Sequence, residues 1–415
     1  MLSQRRIRSL PAAFDTFTLV TALAVSVTAC EQPAPTEPPG GARLPSPQAL
    51  RQSLRAVGSA LPYLTRDEAR LFEQGSAVFQ TEFTPATGLG PLFNDVSCAE
   101  CHSNPVVGGS GDDDVETHAT AYVGGACDDL SAYGGPVFED SVTPALHDAM
   151  GIDRDPVPPA ATAIAHRTTP SVLGFGLLDA VPDAEILALA DPDDRNGDGI
   201  SGRPNRTADG RLGRFGRKAQ IATLSDFVAG GFHEEMGVTD PPNPSEKTVS
   251  GEPLPDGTDP APDPEISQQQ LDATVAFNQL LAPPAPLPRG LVEDLGGLVF
   301  LKLGCAGCHV PALVTGPSPV RALSFKAVYA YTDLLLHDMG PELADICLGL
   351  AKPSDFRTEP LMGLRFKTVF LHDGRASTIA DAIALHGGEA AASRDRFLGL
   401  SPLERFLLLR FLQGL

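Results

Sequence analysis

The sequence predicts a mainly α fold built from two helical domains of the same organisation. Apolar residues recur at helical spacing in residues 48–80, 267–281, 291–303 and 402–412. The order helix, turn, C-x-x-C-H motif and long irregular segment occurs twice along the chain. The 39 Pro and 41 Gly among 415 residues indicate much irregular structure, and residues 103–160 are predicted to form such a segment.

Composition places the boundaries of these domains. Residues 1–29 are predicted to be a signal peptide, and residues 30–47, which are rich in Pro, Glu, Gly and Ala, an extended tether. The N-terminal domain then spans residues 48–240 and the C-terminal domain residues 266–415. The Pro- and Asp-rich residues 241–265 between them are predicted to form a loop.

The first thirty residues have the features of a bacterial lipoprotein signal. A basic segment with three Arg precedes the apolar residues 17–29, and small residues lead to Cys30. This pattern predicts cleavage before Cys30 and lipidation of its thiol, which would anchor the exported protein to the cell envelope or periplasmic membrane face. No other stretch is of membrane-spanning length, so this lipid would be the membrane attachment. The alternatives are an ordinary cleaved signal or an uncleaved anchor.

Two motifs, Cys98-Ala-Glu-Cys101-His102 and Cys305-Ala-Gly-Cys308-His309, have the spacing that attaches haem c covalently. Two Cys three apart on a helical turn can reach the two vinyl groups on one porphyrin edge, and the adjacent His is carried beneath the iron. A zinc site would need more soft ligands nearby, and a thioredoxin-like Cys pair needs a strand–helix context that is absent. The sequence therefore predicts two covalently bound haems, with His102 and His309 as proximal iron ligands.

Charge and the remaining cysteines limit the partners and the compartment. The formal net charge of −21 argues against nucleic acid as a partner. It suits a basic redox partner, such as a basic cytochrome or cupredoxin, although solubility explains it equally well. Cys127 and Cys347 lie outside the haem motifs and the predicted lipidation site. In an oxidising compartment they would form a disulfide, and the alternative is two buried thiols.

Six further phrases occur in a fixed order along the chain. They are RTTPSVL at 167–173, GFGLLDAVP at 174–182, NGDGISGRPN at 196–205, GRFGRKA at 213–219, HDMGPEL at 337–343 and FLHDGR at 370–375. With the two haem motifs they resemble the di-haem oxidoreductase group, whose members are often labelled thiol oxidoreductases, within the superfamily of bacterial dihaem cytochrome c peroxidases and MauG. The resemblance covers roughly residues 60–415 and implies two cytochrome-c-like haem domains.

The resemblance also implies candidates for the sixth ligand of each iron. The family places the ligand of the C-terminal haem 14 residues after the His of its HxG motif, here His372, which gives His386. The peroxidases have Met at this place and the MauG type has Tyr, and a second His implies a lower reduction potential. The peroxidases also carry a displaceable His 16 residues beyond the first haem His, which corresponds to His118.

Two further groups of residues are candidates for function. By resemblance, Glu234 and Glu235 lie where the family keeps its distal acid/base residues, and a carboxylate there could move the protons of peroxide. An exposed helical face explains the two Glu equally well. Asp194, Asn196 and Asp198 have the alternate spacing of oxygen ligands in a calcium loop, and the alternative is a turn without metal.

Together these features predict an exported dihaem c-type cytochrome that acts as an oxidoreductase. The resemblance implies peroxide reduction at the N-terminal haem, while the C-terminal haem exchanges electrons with a redox partner protein. Oxidation of a thiol or protein substrate is the second enzymatic option. The rival class is a non-catalytic electron-transfer cytochrome, in which two protein ligands hold each iron.

Overall fold

The computed structural model of the protein describes residues 57–415. The predicted signal peptide, the tether with Cys30, and the first part of the predicted helix at residues 48–80 lie outside these residues. Within residues 57–415 no helix is both long enough and apolar enough to cross a lipid bilayer.

Eleven α-helices and ten β-strands make up the regular structure of residues 57–415. The helices are α1 Arg66–Phe79, α2 Cys98–Cys101, α3 Pro144–Met150, α4 Phe175–Asp179, α5 Asp183–Leu187, α6 Leu224–Met236, α7 Gln268–Leu280, α8 Leu291–Leu303, α9 Ile379–Ala384, α10 Ala391–Leu398 and α11 Pro402–Gln413. The strands are β1 Leu92–Phe93, β2 Gly111–Val123, β3 Ala126–Asp128, β4 Val137–Phe138, β5 Ser141–Val142, β6 Ala163–Thr169, β7 Leu313–Val314, β8 Ala327–Val328, β9 Leu336–Asp338 and β10 Asp355–Arg357. The predicted mainly α fold is confirmed only in part, because strands accompany the helices in both predicted domains.

Helices α1 and α7 pack side by side next to the first haem motif. Gly75 permits this close approach, because a Cβ atom there would lie 1.8 Å from the carbonyl oxygen of Ala273. The rings of Phe79 and Phe277 lie with their centroids 5.0 Å apart in the largest hydrophobic core. Helix α7 lies within the predicted C-terminal domain, yet it packs next to the first haem motif. No helix or strand lies between α6 and α7, the region that contains the predicted loop at residues 241–265.

Helices α8 and α11 form the corresponding pair next to the second haem motif. Gly296 of α8 lies against α11, where a Cβ atom would be 2.1 Å from the carbonyl oxygen of Leu407. Gly304 follows α8 with a φ of 83°, a left-handed conformation that ends the helix and turns the chain into Cys305. The helix and its glycine cap therefore position the second motif.

A four-stranded antiparallel sheet lies where the sequence indicated an irregular segment. Strand β2 is its centre and pairs with β3, β4 and β6. Residues 117–121 of β2 are all buried, so no alternation of apolar and polar residues marks this strand in the sequence. The prediction that residues 103–160 are irregular is therefore wrong for β2 to β5 and for α3.

Cys127 of β3 and Cys347 form a disulfide, with their Cα atoms 5.8 Å apart. The bond joins residues that are 220 positions apart and belong to the two predicted haem domains. The predicted disulfide is confirmed, and the alternative of two buried thiols is wrong.

Replacing both cysteines by alanine, Cys127→Ala with Cys347→Ala, is expected to lower the free energy of unfolding by about 2–5 kcal/mol. The reason is that the disulfide restricts a long loop of the unfolded chain. Guanidinium denaturation of the haem-loaded protein measures the effect. An unchanged denaturation midpoint in the double variant would contradict the prediction.

Candidate haem cavities and active site

The first cavity is formed around the motif Cys98–His102. The side chain of Ser97 accepts a hydrogen bond from the amide of Glu100 and starts α2, so the motif forms one helical turn. The cavity has a volume of about 550 Å³, which includes space open to solvent. Besides the residues of the motif, its lining contains Phe79, Glu116, Phe227, Glu235, Met236, Thr274 and Asn278.

His102 is held by the tight loop that follows it. Its Nδ1 donates a hydrogen bond to the carbonyl oxygen of Gly109, 3.1 Å away. A side chain at Gly109 is excluded, because a Cβ atom there would lie 1.9 Å from the carbonyl oxygen of Asn104. An imidazole that donates from Nδ1 carries its lone pair on Nε2, the nitrogen that can then bind iron. His102 therefore has the tautomer that a proximal ligand needs.

The second cavity is larger and contains two such histidines. Its volume is about 1550 Å³, again including space open to solvent, and both Cys of the second motif line it. His309 donates from Nδ1 to the carbonyl oxygen of Tyr331 at 2.9 Å, and His386 donates from Nδ1 to that of Ala382 at 2.7 Å. Both imidazoles line the cavity, and both leave Nε2 as the ligating nitrogen.

The electrostatics of the second cavity are consistent with two neutral imidazoles as ligands. Burial lowers the pKa of His309 to about 4, and the nearby charge of His386 adds to this lowering. The hydrogen bond to the Tyr331 carbonyl acts in the opposite direction but does not outweigh burial. Burial likewise lowers the pKa of His386. The structure thus brings the predicted sixth ligand into the cavity with the proximal His, although its ligation stays a prediction and Met339 also lines the cavity.

Three carboxyl groups, those of Asp95, Glu116 and Glu235, and no second histidine, line the first cavity in the described chain. Glu235 accepts a hydrogen bond from Nδ2 of Asn94 at 2.7 Å, and Glu116 one from Nε2 of His118 at 3.1 Å. Burial, and then the charge of Glu116, raise the pKa of Glu235 well above its usual value. Burial also acts to raise the pKa of Glu116, but the hydrogen bond and charge of His118 outweigh it and lower this pKa. Within this cavity Glu235 therefore favours its protonated form, and Glu116 favours its ionised form.

Of the predicted acid/base residues, only Glu235 lines the first cavity. Glu234 lies outside the lining, where it accepts hydrogen bonds from Lys247 at 3.0 Å and from His233 at 3.2 Å. His118 lies behind Glu116 on β2 and does not line the cavity. Glu116 thus lines the cavity and His118 bonds to it from outside the lining, while ligation of the iron by His118 stays a prediction. Sequence reasoning missed Glu116 because it did not detect the strand that carries it.

Lys247, the partner of Glu234, also forms an ion pair with the fully buried Glu139. Asp155 lies beside this pair, and its amide donates to the carbonyl oxygen of Glu139 at 2.9 Å. The Asp155 side chain is 2% exposed, and its two oxygens make no hydrogen bond within the described chain. Burial, and then the charge of Glu139, raise the pKa of Asp155 from 3.8 to about 7.

Asp155→Asn is expected to stabilise the protein at high pH and to flatten the pH dependence of its stability. The folded state disfavours the ionised carboxyl group, so the contribution of Asp155 to stability falls as pH rises from 3.8 towards about 7 and then levels off. Urea denaturation at about pH 5 and about pH 8 measures the difference. The control is Asp148→Asn at an exposed position. A variant with the pH dependence of the wild type would contradict the prediction.

Cationic side chains in the wall of the second cavity can hold the two carboxylates of a haem. Arg217, Arg357 and Lys367 line the cavity together with Glu359. Arg217 and Arg357 lie 3.2 and 2.7 Å from the Glu359 carboxylate. Three cations beside one carboxylate leave positive charge, and the buried Nε of Arg217 makes no hydrogen bond within residues 57–415. A guanidinium group that has surplus positive charge around it and a nitrogen without a hydrogen bond binds carboxylates well.

The residues predicted to bind calcium lie in an exposed turn. Asp194 accepts a hydrogen bond from the amide of Gly199 at 3.2 Å, and Asp198 one from the amide of Ile200 at 2.9 Å. The side-chain oxygen of Asn196 accepts from the amide of Asp198 at 2.9 Å. The side chains thus stabilise the turn itself, and calcium binding by Asp194, Asn196 and Asp198 stays a prediction.

Residues 160–415 match the family model described as "Di-haem oxidoreductase, putative peroxidase". The chain belongs to the di-haem oxidoreductase family. The match confirms the resemblance seen in the sequence and implies two haem groups and peroxidase-like chemistry. No curated protein sequence matches the chain.

Several solved structures are similar to this di-haem oxidoreductase. Hydrazine synthase of Kuenenia stuttgartiensis is 14% identical, with a TM-score of 0.40 over 94% of this chain and 100% of that chain. The diheme peroxidase BthA of Burkholderia thailandensis is 16% identical, with a TM-score of 0.40 over 83% of this chain and 86% of that chain. A MauG-like protein associated with microbial copper homeostasis is 16% identical, with a TM-score of 0.31 over 59% of this chain and 88% of that chain. The family assignment depends on the sequence match.

The residues of both cavities fit the two haem groups that the family implies. Each cavity presents two Cys three apart, whose thiols lie outside the disulfide, and a His that can ligate through Nε2. The second cavity adds His386 and the cationic wall with its unsatisfied guanidinium nitrogen. The first cavity adds Glu116 and Glu235 instead. The two cavities can therefore hold the same kind of group, but they differ in the side chains that they present to it.

Proposed function

We propose that the protein is an exported, lipid-anchored dihaem c-type cytochrome that reduces peroxide at the N-terminal haem. A basic redox protein, such as a cytochrome or cupredoxin, supplies the electrons through the C-terminal haem. The observation that carries this proposal is the difference between the two cavities. The second contains His309 and His386, enough to ligate an iron from both sides, whereas the first contains one histidine and three carboxyl groups.

Covalent attachment is proposed at four cysteines, and their environment suits it. Each thiol adds to one vinyl group, so that an S–H bond breaks, a C–S bond forms and the proton goes to the vinyl carbon. Burial raises the pKa of Cys98 to about 12 and that of Cys305 to about 11, which keeps these thiols protonated until they react. Cys101 and Cys308 take the second position in each motif. The helical turn of α2 and the glycine cap of α8 orient the two pairs.

The carboxyl groups of the first cavity supply the proton chemistry. Reduction of hydrogen peroxide to two waters consumes two electrons and two protons. Haem iron, when bound, supplies the one-electron chemistry and a coordination position for the peroxide. Glu235 holds a proton inside the cavity and can donate it to the departing oxygen, while the anion of Glu116 can accept one from the incoming peroxide. Asn94 and His118 orient these two groups.

A second candidate function is electron transfer without catalysis. Met236 also lines the first cavity and is 2% exposed. Its thioether could occupy the sixth position of the N-terminal iron, and both haems would then be closed to substrates.

The optical spectrum of the oxidised, haem-loaded protein separates these two functions. The proposed peroxidase has a high-spin component from one haem, and cyanide binds to that haem alone. Wholly low-spin spectra that cyanide does not change would rule out peroxide reduction and support the electron-transfer cytochrome. Met236→Leu is the matched variant, because it creates the high-spin component only if the thioether had closed the iron.

A further inference from the structure

A side-chain hydrogen bond connects the regions of the two haem sites. Nδ2 of Asn104 donates to the carbonyl oxygen of Phe366 at 3.0 Å, although the two residues are 262 positions apart. Asn104 lies two residues after His102, the proximal ligand of the first haem. Lys367, which follows Phe366, lines the second cavity. This hydrogen bond therefore connects the ligand loop of one haem with the wall of the other.

The donor side of the hydrogen bond is rigid. The amide of Asn104 donates to the carbonyl oxygen of Ser110 at 2.9 Å, and the amide of Ser110 donates back at 2.8 Å. The same loop holds the imidazole of His102 through the carbonyl oxygen of Gly109 at 3.1 Å. The position of Asn104 is thus fixed relative to that of the proximal ligand.

The acceptor side is equally well anchored. Phe366 ends a 3₁₀ turn, Leu364–Phe366, and its amide donates to the carbonyl oxygen of Gly363 at 2.9 Å. The guanidinium of Arg365 bonds to the carbonyl oxygens of Leu415 and Ala285 at 2.8 and 2.7 Å. Leu364 and Lys367, on either side of this carbonyl, both line the second cavity.

Strand β6 forms another connection between the sites. The amide of Thr168 donates to the carbonyl oxygen of His372 at 3.0 Å, and Arg217 donates to that of Thr168 at 2.9 Å. His372 and Arg217 line the second cavity, and β6 pairs with Glu116 on β2, while the backbone of Pro170, directly after β6, bonds to the imidazole of His102. The path through Asn104 begins two residues from His102 and does not involve β6.

We infer that the hydrogen bond from Asn104 to the Phe366 carbonyl is a contact through which electrons pass between the two haems. The inference rests on the proposed function only in that both haems are bound at their motifs. Each transfer oxidises the C-terminal haem by one electron and reduces the N-terminal haem by one, and no bond or proton moves. The backbone carbonyl, and not the Phe366 ring, makes the connection.

The test is the rate of electron transfer between the haems in the full-length, haem-loaded protein. A flash-generated reductant delivers less than one electron per molecule, and the different spectra of the two haems report its redistribution. Asn104→Leu, which keeps the size of the side chain but removes the donor, is expected to slow this redistribution severalfold. Asn104→Gln, which retains a donor, is expected to recover part of the rate. Phe366→Leu keeps the carbonyl and is expected to leave the rate unchanged.

Haem content, equilibrium spectra and both reduction potentials must remain as in the wild type, so that the driving force is constant. Slow redistribution in Phe366→Leu together with a normal rate in Asn104→Leu would overturn the inference in favour of the ring. An unchanged rate in all three variants would overturn it in favour of another route. The measurement needs no peroxide, so it can be read even if the protein proves not to be a peroxidase.

Discussion

Glu235→Gln is expected to lower the rate of peroxide reduction by about two to three orders of magnitude, the usual contribution of a positioned proton donor. Glutamine has nearly the shape of glutamic acid and can still interact with Asn94, so the cavity should keep its structure. What it lacks is the proton that the buried carboxyl group holds next to the substrate. Steady-state turnover with hydrogen peroxide and an electron donor measures the loss.

Glu234→Gln is the matched control for this variant. Glu234 is adjacent in sequence but lies outside the cavity, where it bonds to Lys247 and His233. We expect it to change turnover little, provided that haem content and the high-spin signal are unaltered in both variants. Equal losses in the two variants would show that Glu235 acts through the structure of α6 and not as a proton donor. An active Glu235→Gln protein would remove the proposed role altogether.

His386→Ala is expected to open the C-terminal haem. In the wild type this haem should be low-spin, because His309 and His386 can hold the iron from both sides of the cavity. The variant should gain a second high-spin component and a second cyanide-binding site, and peroxide reduction should fall steeply because the electron-entry haem is altered. Added imidazole should restore the low-spin spectrum, since it replaces the missing ligand.

Met339→Leu is the control for His386→Ala, because Met339 lines the same cavity. We expect its spectrum to equal that of the wild type. If Met339→Leu becomes high-spin while His386→Ala remains low-spin, the thioether is the sixth ligand, and the iron should have a higher reduction potential. The two variants together therefore decide between these two side chains as the sixth ligand.

The helices and the ligand motifs could be predicted from the sequence because their geometry is local. A C-x-x-C-H motif places its thiols and imidazole within one turn, whatever the rest of the chain does. The same holds for α1 and α7, whose caps and apolar spacing are complete within the segment. His386, which the resemblance places at a fixed distance from His372, lines the second cavity, and its ligation of the iron stays a prediction.

The buried sheet and the residues it carries could not be predicted. Residues 117–121 are buried on both faces, so β2 has no alternating pattern, and Glu116 appeared to lie in a loop. For a similar reason the sequence could not show which of Glu234 and Glu235 faces the first cavity. Neighbouring residues of a helix point in directions about 100° apart, and only the packing of α6 shows which one faces the first cavity.

The sequence by itself predicts two haem sites at two defined motifs, since the residues of each motif lie within five consecutive positions. The tertiary structure alone decided that the two sites differ. Glu116, Glu235 and Asn94 come together from β2, α6 and the segment after β1, and Asn104 meets Phe366 across 262 positions. Contacts of this kind depend on how separate elements pack, and packing leaves no periodic signal in any one segment.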